Sequence, residues 1–185
     1  MRIIGGQAAG RRLAPLRGHD TRPTGARVRE ALFDIWQARV VDALFLDAYA
    51  GTGAVGLEAV SRGARQVIFC EPRSQTRRTL YENIRRMGAQ DRTVVVPKAV
   101  ESVLPQWIAE GTRFEVVFCD PPWAQGLELR VRESLWRVVS PSGVVVLETR
   151  SRDPAVELPG LVRQWTRRYG DTALSQYVRE DREGG

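Results

Sequence analysis

Ala43-Leu44-Phe45-Leu46-Asp47-Ala48-Tyr49-Ala50-Gly51-Thr52-Gly53-Ala54-Val55-Gly56 is the stretch that decides the fold. Ala43–Asp47 is an apolar run closed by an acid and reads as a strand. A glycine loop follows, and Ala54 to about Arg62 reads as a helix. Gly51 and Gly53 allow tight turns and let a ligand approach the backbone closely. Twenty residues beyond Gly51, Glu71 ends the next apolar run, Gln66–Glu71. Strand, glycine loop, helix and a later acid together form the pattern of a nucleoside-binding βαβ unit. A carboxylate at that strand end can accept two ribose hydroxyls, with charge-assisted bonds of about 1.5–3 kcal/mol each. The plainer reading is a tight structural turn, with Glu71 only capping the helix after it.

The alternation continues outward from this unit. A helix runs to about Met87, then come a strand at Thr93–Pro97, a helix at Val100–Ala109 and a strand at Phe114–Asp120. A helix around Leu127–Val139 and a strand at Gly143–Glu148 follow. Runs such as Val-Val-Val are apolar on both faces, as strands of a covered parallel sheet must be. The prediction is a Rossmann-like α/β domain with a mostly parallel, doubly wound sheet. Leu161–Tyr169 and Ala173–Arg179 are expected to close it as an antiparallel hairpin, and Asp181–Gly185 to fray. Residues 1–39 form a basic N-terminal arm and residues 40–185 the main domain. In the arm, Arg2–Ile4 and Arg11–Leu13 can pair as a short hairpin across Gly5, Gly6 and Gly10. A helix is expected after Pro23-Thr24, with Val28, Leu32, Ile35 and Trp36 as its apolar stripe and Arg27, Arg29 and Glu30 off it.

The chain has 185 residues, of which 43% are hydrophobic and 27% charged, so it should fold as one domain with its own core. Net charge is +6, and of 28 basic residues only Lys98 is lysine. Arginine presents a planar fork suited to phosphate, which favours a nucleic-acid partner; genome composition can produce the same bias. In residues 1–30, seven arginines stand against Asp20 and Glu30. Arg11, Arg12, Arg17, Arg22, Arg27 and Arg29 are therefore the candidate RNA contacts, the alternative being a solvated face. No apolar run fits a signal peptide or the roughly 20 residues of a membrane helix, so a cytoplasmic protein with no membrane partner is expected. Cys70, Cys119 and His19 cannot build a standard zinc site, and no metal is expected. The two cysteines should be free thiols on strands flanking the first, about 9–10 Å apart and too far for a disulfide. Trp107, Trp136 and Trp165 read as core or interface residues. His19 has no assigned role.

Asp47 separates two nucleoside cofactors. A carboxylate four residues before Gly51 repels the pyrophosphate of NAD and attracts the ammonium of S-adenosylmethionine. Asp120-Pro121-Pro122-Trp123 then follows another apolar strand. Ligands of open α/β sheets bind beyond the carboxyl ends of strands, where both motifs fall. Two prolines stiffen the backbone and remove two donors, leaving the Asp120 carboxylate and a proline carbonyl as acceptors. Such a pair suits an exocyclic amino group. Trp123 can stack on the base that carries it, worth about 1–3 kcal/mol. Two acceptors that draw the amine toward tetrahedral geometry favour attack on a sulfonium methyl, which is differential binding of the transition state. Without that chemistry, an Asp-Pro loop merely ends a strand.

Asp47–Gly56, Glu71 and Asp120–Trp123 resemble the amino-group methyltransferases that use S-adenosylmethionine. Met1–Gly6, Arg22-Pro23-Thr24, Arg27–Phe33, Gly56–Ala59 and Ser61–Ala64 resemble, more narrowly, the RsmD family. The resemblance implies a class I methyltransferase that modifies guanine N2 of 16S rRNA in the assembled small subunit. It implies Asp120, Pro121, Pro122 and Trp123 as catalytic residues. Asp47, Ala48, Gly51, Thr52, Gly53 and Glu71 would hold S-adenosylmethionine, with the backbone of Ala99 at the adenine. The family's tetrapeptide often ends in phenylalanine or tyrosine; here Trp123 stands. A monomer is expected. Other nucleic-acid base amines, a protein amide, an NAD-dependent oxidoreductase and a non-catalytic RNA-binding module are the alternatives.

Overall fold

Five parallel strands form most of one sheet: β1 (Leu44–Asp47), β2 (Gln66–Cys70), β3 (Thr93–Val96), β4 (Phe114–Cys119) and β5 (Val139–Arg150). The antiparallel strands β6 (Leu161–Tyr169) and β7 (Thr172–Arg179) complete it, in the order β3-β2-β1-β4-β5-β7-β6. The computed structural model describes residues 1–16 and 25–180. Arg17, His19, Arg22, Pro23-Thr24 and Asp181–Gly185 lie outside them. The doubly wound sheet and closing hairpin are as expected.

Helices cover both faces. On one lie α1 (Ala26–Val40), α2 (Ala54–Ser61) and α3 (Ser74–Met87), and on the other α4 (Val100–Ala109) and α5 (Leu129–Ser134). Trp36 anchors α1, meeting Phe33, Phe45 and Phe118 edge-on at 5.6, 5.7 and 6.4 Å between ring centroids. Its indole N–H donates to Gln176 on β7 at 3.3 Å. One helix is thereby tied to both halves of the sheet. Trp107 packs against Phe114 at 5.2 Å, a core role as expected.

Three expectations need correction. The helix expected around Leu127–Val139 is only α5 followed by a 3-10 turn at Leu135–Val138. The Pro122 carbonyl accepts from the N–H groups of Gln125 and Gly126, which prolongs the loop, and Glu128 then caps α5 by accepting from Val131. β5 also begins four residues early, at Val139, because a register shift beside Phe114 and Val116 absorbs Pro141-Ser142-Gly143. The third correction is Arg29. It lies not off the apolar stripe but in it, 1% exposed, since Arg29, Phe33, Trp36 and Val40 form one helical row.

Arg29 belongs to a clamp centred on Glu58, which has no solvent exposure. Glu58 accepts from the backbone N–H groups of Ile4 (2.8 Å) and Gly5 (2.7 Å) and from the Arg62 guanidinium (2.9 Å). Arg29 lies 3.8 Å away and donates to the Arg2 carbonyl at 2.8 Å. The arm's hairpin forms as expected, with a bridge between Arg2 and Arg12. Ser61 holds its tip, accepting from Gln7 and Ala8 and donating to Gly5. A side chain at Gly6 would sit 2.0 Å from the Ser61 carbonyl, so the close approach requires glycine. Ile3 and Leu13 bury in the same core as α1 and α2. Removing one partner of a buried ion pair costs about 3–5 kcal/mol. Glu58→Ala should lower the unfolding free energy by that order in urea titration and expose residues 1–16 to limited proteolysis, while Glu82→Ala in the exposed pair with Arg86 should cost under about 1 kcal/mol.

Candidate active site

The loop after β1 takes its shape from two buried carboxylates at neighbouring strand ends. Asp47 Oδ2 accepts from the Gly56 N–H at 3.0 Å, and Glu71 Oε2 accepts from the Gly51 N–H at 3.1 Å. Glu71 Oε1 also takes the backbone N–H and guanidinium of Arg73. Behind the loop, Asn83 of α3 donates to the Thr52 carbonyl (3.0 Å) and exchanges hydrogen bonds with the Ala14 backbone. The glycines differ in their reasons. A Cβ at Gly56 would meet Phe69 at 2.2 Å and one at Gly53 would meet Leu80 at 2.3 Å, so Gly56 lets α2 pack closely on β2 and Gly53 lets the loop pack closely on α3. A Cβ at Gly51 would meet nothing within 4 Å, which leaves open room beside that backbone.

Each expected cofactor residue falls at this edge of the sheet. Ala48 continues β1 by donating to the Phe118 carbonyl, and Ala99 caps the N-terminus of α4. Asp47 and Thr52 are buried, and Asp47 points into its own loop. Its carboxyl is therefore committed to the Gly56 N–H and is not an open acceptor.

The Asp-Pro-Pro-Trp corner stands at the end of β4, hydrogen-bonded directly beside β1. Pro121 is buried, while Pro122 is exposed and its carbonyl closes the turn. Asp120 and Trp123 are half-buried. The Arg150 guanidinium lies over the Trp123 indole, 5.4 Å from its centroid. Arg150 extends β5 beyond the last pairing with β4, and sequence reasoning missed it because the expected strand stopped at Glu148.

Glu101 and Tyr49 were also missed. Glu101, in the first turn of α4, has one carboxylate oxygen buried without a hydrogen-bond partner. Tyr49 is pushed up by burial and then by Cys119, Glu101, Glu128 and Cys70. The Cys70 thiol is pushed up to about 12 by burial and by Asp47, Glu101 and Glu71. Cys119 is raised likewise by burial, Asp47, Cys70 and Asp120. Both cysteines are buried thiols on the strands flanking β1 and are neutral at physiological pH. Asp47, Glu71, Glu101 and Asp120 thus converge on one strand edge and make it electronegative.

The arm's arginines divide. Arg12 and Arg27 are exposed, and Arg11 caps the end of α3 through the Arg86 and Met87 carbonyls. Arg29 is buried in the clamp and has no surface to offer RNA; Arg17 and Arg22 lie outside the described residues.

Residues 1–178 match the family described as Conserved hypothetical protein 95. The chain belongs to that family. It is 42% identical over 127 residues to Ribosomal RNA small subunit methyltransferase D of Escherichia coli K12, across 69% of this chain and 62% of that protein. The matched stretch thus spans less than two thirds of that relative. A protein of the same name from Haemophilus influenzae is 32% identical over 162 residues, 84% of this chain and 82% of its own. The fold superposes on yhhF from Escherichia coli with a TM-score of 0.83, at 33% identity and 97% and 98% coverage. A hypothetical protein of Thermus thermophilus gives 0.81 at 38% identity, covering 97% and 99%. These similarities bear out the RsmD-family resemblance and the Rossmann-like class I methyltransferase fold.

The Asp47 carboxyl is pushed up to about 7, chiefly by burial; the Gly56 N–H pulls it down and Glu71 pushes it up again. The folded chain then holds a proton that the unfolded chain releases near pH 4, so stability falls as pH rises from about 4 to about 7. Asparagine keeps an acceptor for Gly56 without the charge. Unfolding free energies of wild type and Asp47→Asn, measured from about pH 4.5 to 8, should therefore diverge, with the variant gaining at the alkaline end.

Proposed function

We propose that this chain transfers a methyl group from S-adenosylmethionine to the exocyclic N2 of a guanosine in 16S rRNA of the small ribosomal subunit. The observation that carries the reading is the adjacency of the carboxylate-pinned glycine loop and the Asp120–Trp123 corner on paired strands β1 and β4. The names of the relatives support the RNA substrate.

The residues present fit the cofactor. It carries an ammonium and a sulfonium, and the strand edge is lined by Asp47, Glu71, Glu101 and Asp120. The same acids repel a pyrophosphate, which disfavours NAD. Open space beside Gly51 and the orphaned Glu101 oxygen leave room and an acceptor for a nucleoside. Glu71 would accept the ribose hydroxyls, Ala99 would meet the adenine through its backbone, and Gly51, Thr52 and Gly53 would line the methionine side. When bound, the cofactor supplies an electrophilic methyl on sulfur.

Asp120 and the Pro121 carbonyl would accept the two N–H bonds of the guanine amine. Held so, the nitrogen lone pair leaves conjugation with the ring and points at the methyl. The two acceptors also stabilise the positive charge that grows on nitrogen, which selects the transition state over the ground state. Pro122 keeps the corner rigid and Trp123 stacks on the base. The amine proton passes to solvent water after transfer, so no strong base is required. Arg11, Arg12 and Arg27 are exposed on the arm and open to phosphate, with Arg17 and Arg22 as further candidates. The enzyme would work as a cytoplasmic monomer.

Asp120→Ala should reduce methyl transfer to small subunits by roughly 10³-fold or more, with adenosylhomocysteine affinity changed by less than about threefold in calorimetry. Glu71→Ala should do the reverse and weaken that affinity about tenfold or more, the equivalent of one charge-assisted bond. Normal turnover by the Asp120 variant would remove the assigned chemistry.

A further inference from the structure

The arm accounts for only part of the basic surface, and its hairpin is not built toward the catalytic corner. The hairpin tip is fastened to Ser61 at the C-terminus of α2. That end lies by the start of β1, since Arg65 just beyond it donates to the Ala43 carbonyl. The tip therefore sits by the opposite edge of the sheet from Asp120. A base can enter the Asp120–Trp123 corner only if its flanking phosphates cross the edge where the strands end.

That edge carries arginines of its own. Arg150 ends β5 and pairs in register with Thr172; Ala173 pairs with Arg168, so the turn between β6 and β7 lies beside it. Ser151 knits the two segments into one body. Its N–H donates to the Asp171 carbonyl and its hydroxyl to the Gly170 carbonyl, each at 2.8 Å, while its own carbonyl accepts from Arg168 at 3.2 Å. Arg152 and Arg168 are exposed on this body, and Arg150 reaches from it onto Trp123. Arg167, also exposed, lies over the Trp165 ring at 5.2 Å. Asp153 and Asp171 are exposed on the same body, and Arg167 and Arg168, adjacent on β6, point to opposite faces of it. Guanidinium forks held on a rigid turn suit phosphate oxygens, and the Trp123 indole offers a flat surface to an unstacked base.

We propose that the β5 end and the β6–β7 turn form a second RNA-binding surface. Arg152 and Arg168 contact phosphates flanking the target nucleotide, and Arg150 holds Trp123 in the plane on which the base stacks. The proposal rests on the reading of the chain as an RNA methyltransferase.

The test compares two double variants of equal charge change, each methylating small subunits and naked 16S rRNA from a strain lacking the gene. Arg152→Ala with Arg168→Ala removes the proposed contacts. Arg113→Ala with Arg137→Ala removes two exposed arginines preceding β4 and β5, at the other edge. The first pair should raise KM for RNA about tenfold or more and flatten the log–log salt dependence by about 1.4, as loss of two single-strand phosphate contacts requires. Its kcat at saturating RNA and its adenosylhomocysteine affinity should stay within about twofold. The control pair should stay within about twofold throughout. Equal effects from both pairs would reduce the surface to a general charge effect and overturn the proposal. So would an effect seen with subunits but absent with naked RNA that wild type methylates, because the contact would then be a ribosomal protein. Wild type that binds adenosylhomocysteine yet neither binds nor methylates small-subunit RNA would overturn the functional reading, and the proposal with it.

Discussion

Two carboxylates that cannot reach bulk water hold the backbone of one loop, and the candidate site is built around them. Asp47 ends β1 and takes the Gly56 N–H in the first turn of α2, while Glu71 follows β2 and takes the Gly51 N–H from the turn between β1 and α2. The loop must turn sharply, so its own N–H groups cannot pair within a strand or helix. Buried donors without partners cost about 1–3 kcal/mol each, and the two acids remove that cost while setting the turn. The same charges then make the strand edge electronegative. One set of groups fixes both the shape and the polarity of the site.

A second buried carboxylate system holds the N-terminal arm. Glu58 has three donors and lies near Arg29 in a region without solvent. Among the described residues the arm pairs with itself through the Arg2–Arg12 bridge and a few backbone hydrogen bonds, and the docking of Ile4 and Gly5 onto Glu58 fixes where it runs. Asn83 then joins Ala14 of the arm to Thr52 of the glycine loop. Arm and ligand loop are thereby mechanically linked through one side chain of α3.

Basic residues fall into two physical classes in this chain. Arg29 and Arg62 satisfy internal carboxylate or carbonyl groups, and their charge is taken up by the fold, whereas Arg11 stays exposed while it bonds two backbone carbonyls. Others, such as Arg12, Arg27, Arg152 and Arg168, stay exposed. Net charge counts both classes alike, and only the second can attract a polyanion.

Local patterning by itself determined the βαβ alternation, the strand ends that carry Asp47, Glu71 and Asp120, and the closing hairpin. Apolar runs, glycine breaks and acid spacing are properties of neighbouring residues, so they are legible in one dimension. The arm's small hairpin was legible for the same reason, from Gly5, Gly6 and Gly10 between two short runs. The role of Arg29 was not, because whether a helix row faces core or solvent depends on what packs against it, and Glu58 is far along the chain. The length of β5 was hidden by Pro141 and Gly143, which read as a break until β4 supplied a partner with a shifted register. Arg150 over Trp123, Glu101 beside Tyr49, and Arg168 beside Ser151 join residues from separate strands and helices. Those pairings arise only when the chain closes on itself, since a contact between distant segments is set by the packing of the whole sheet.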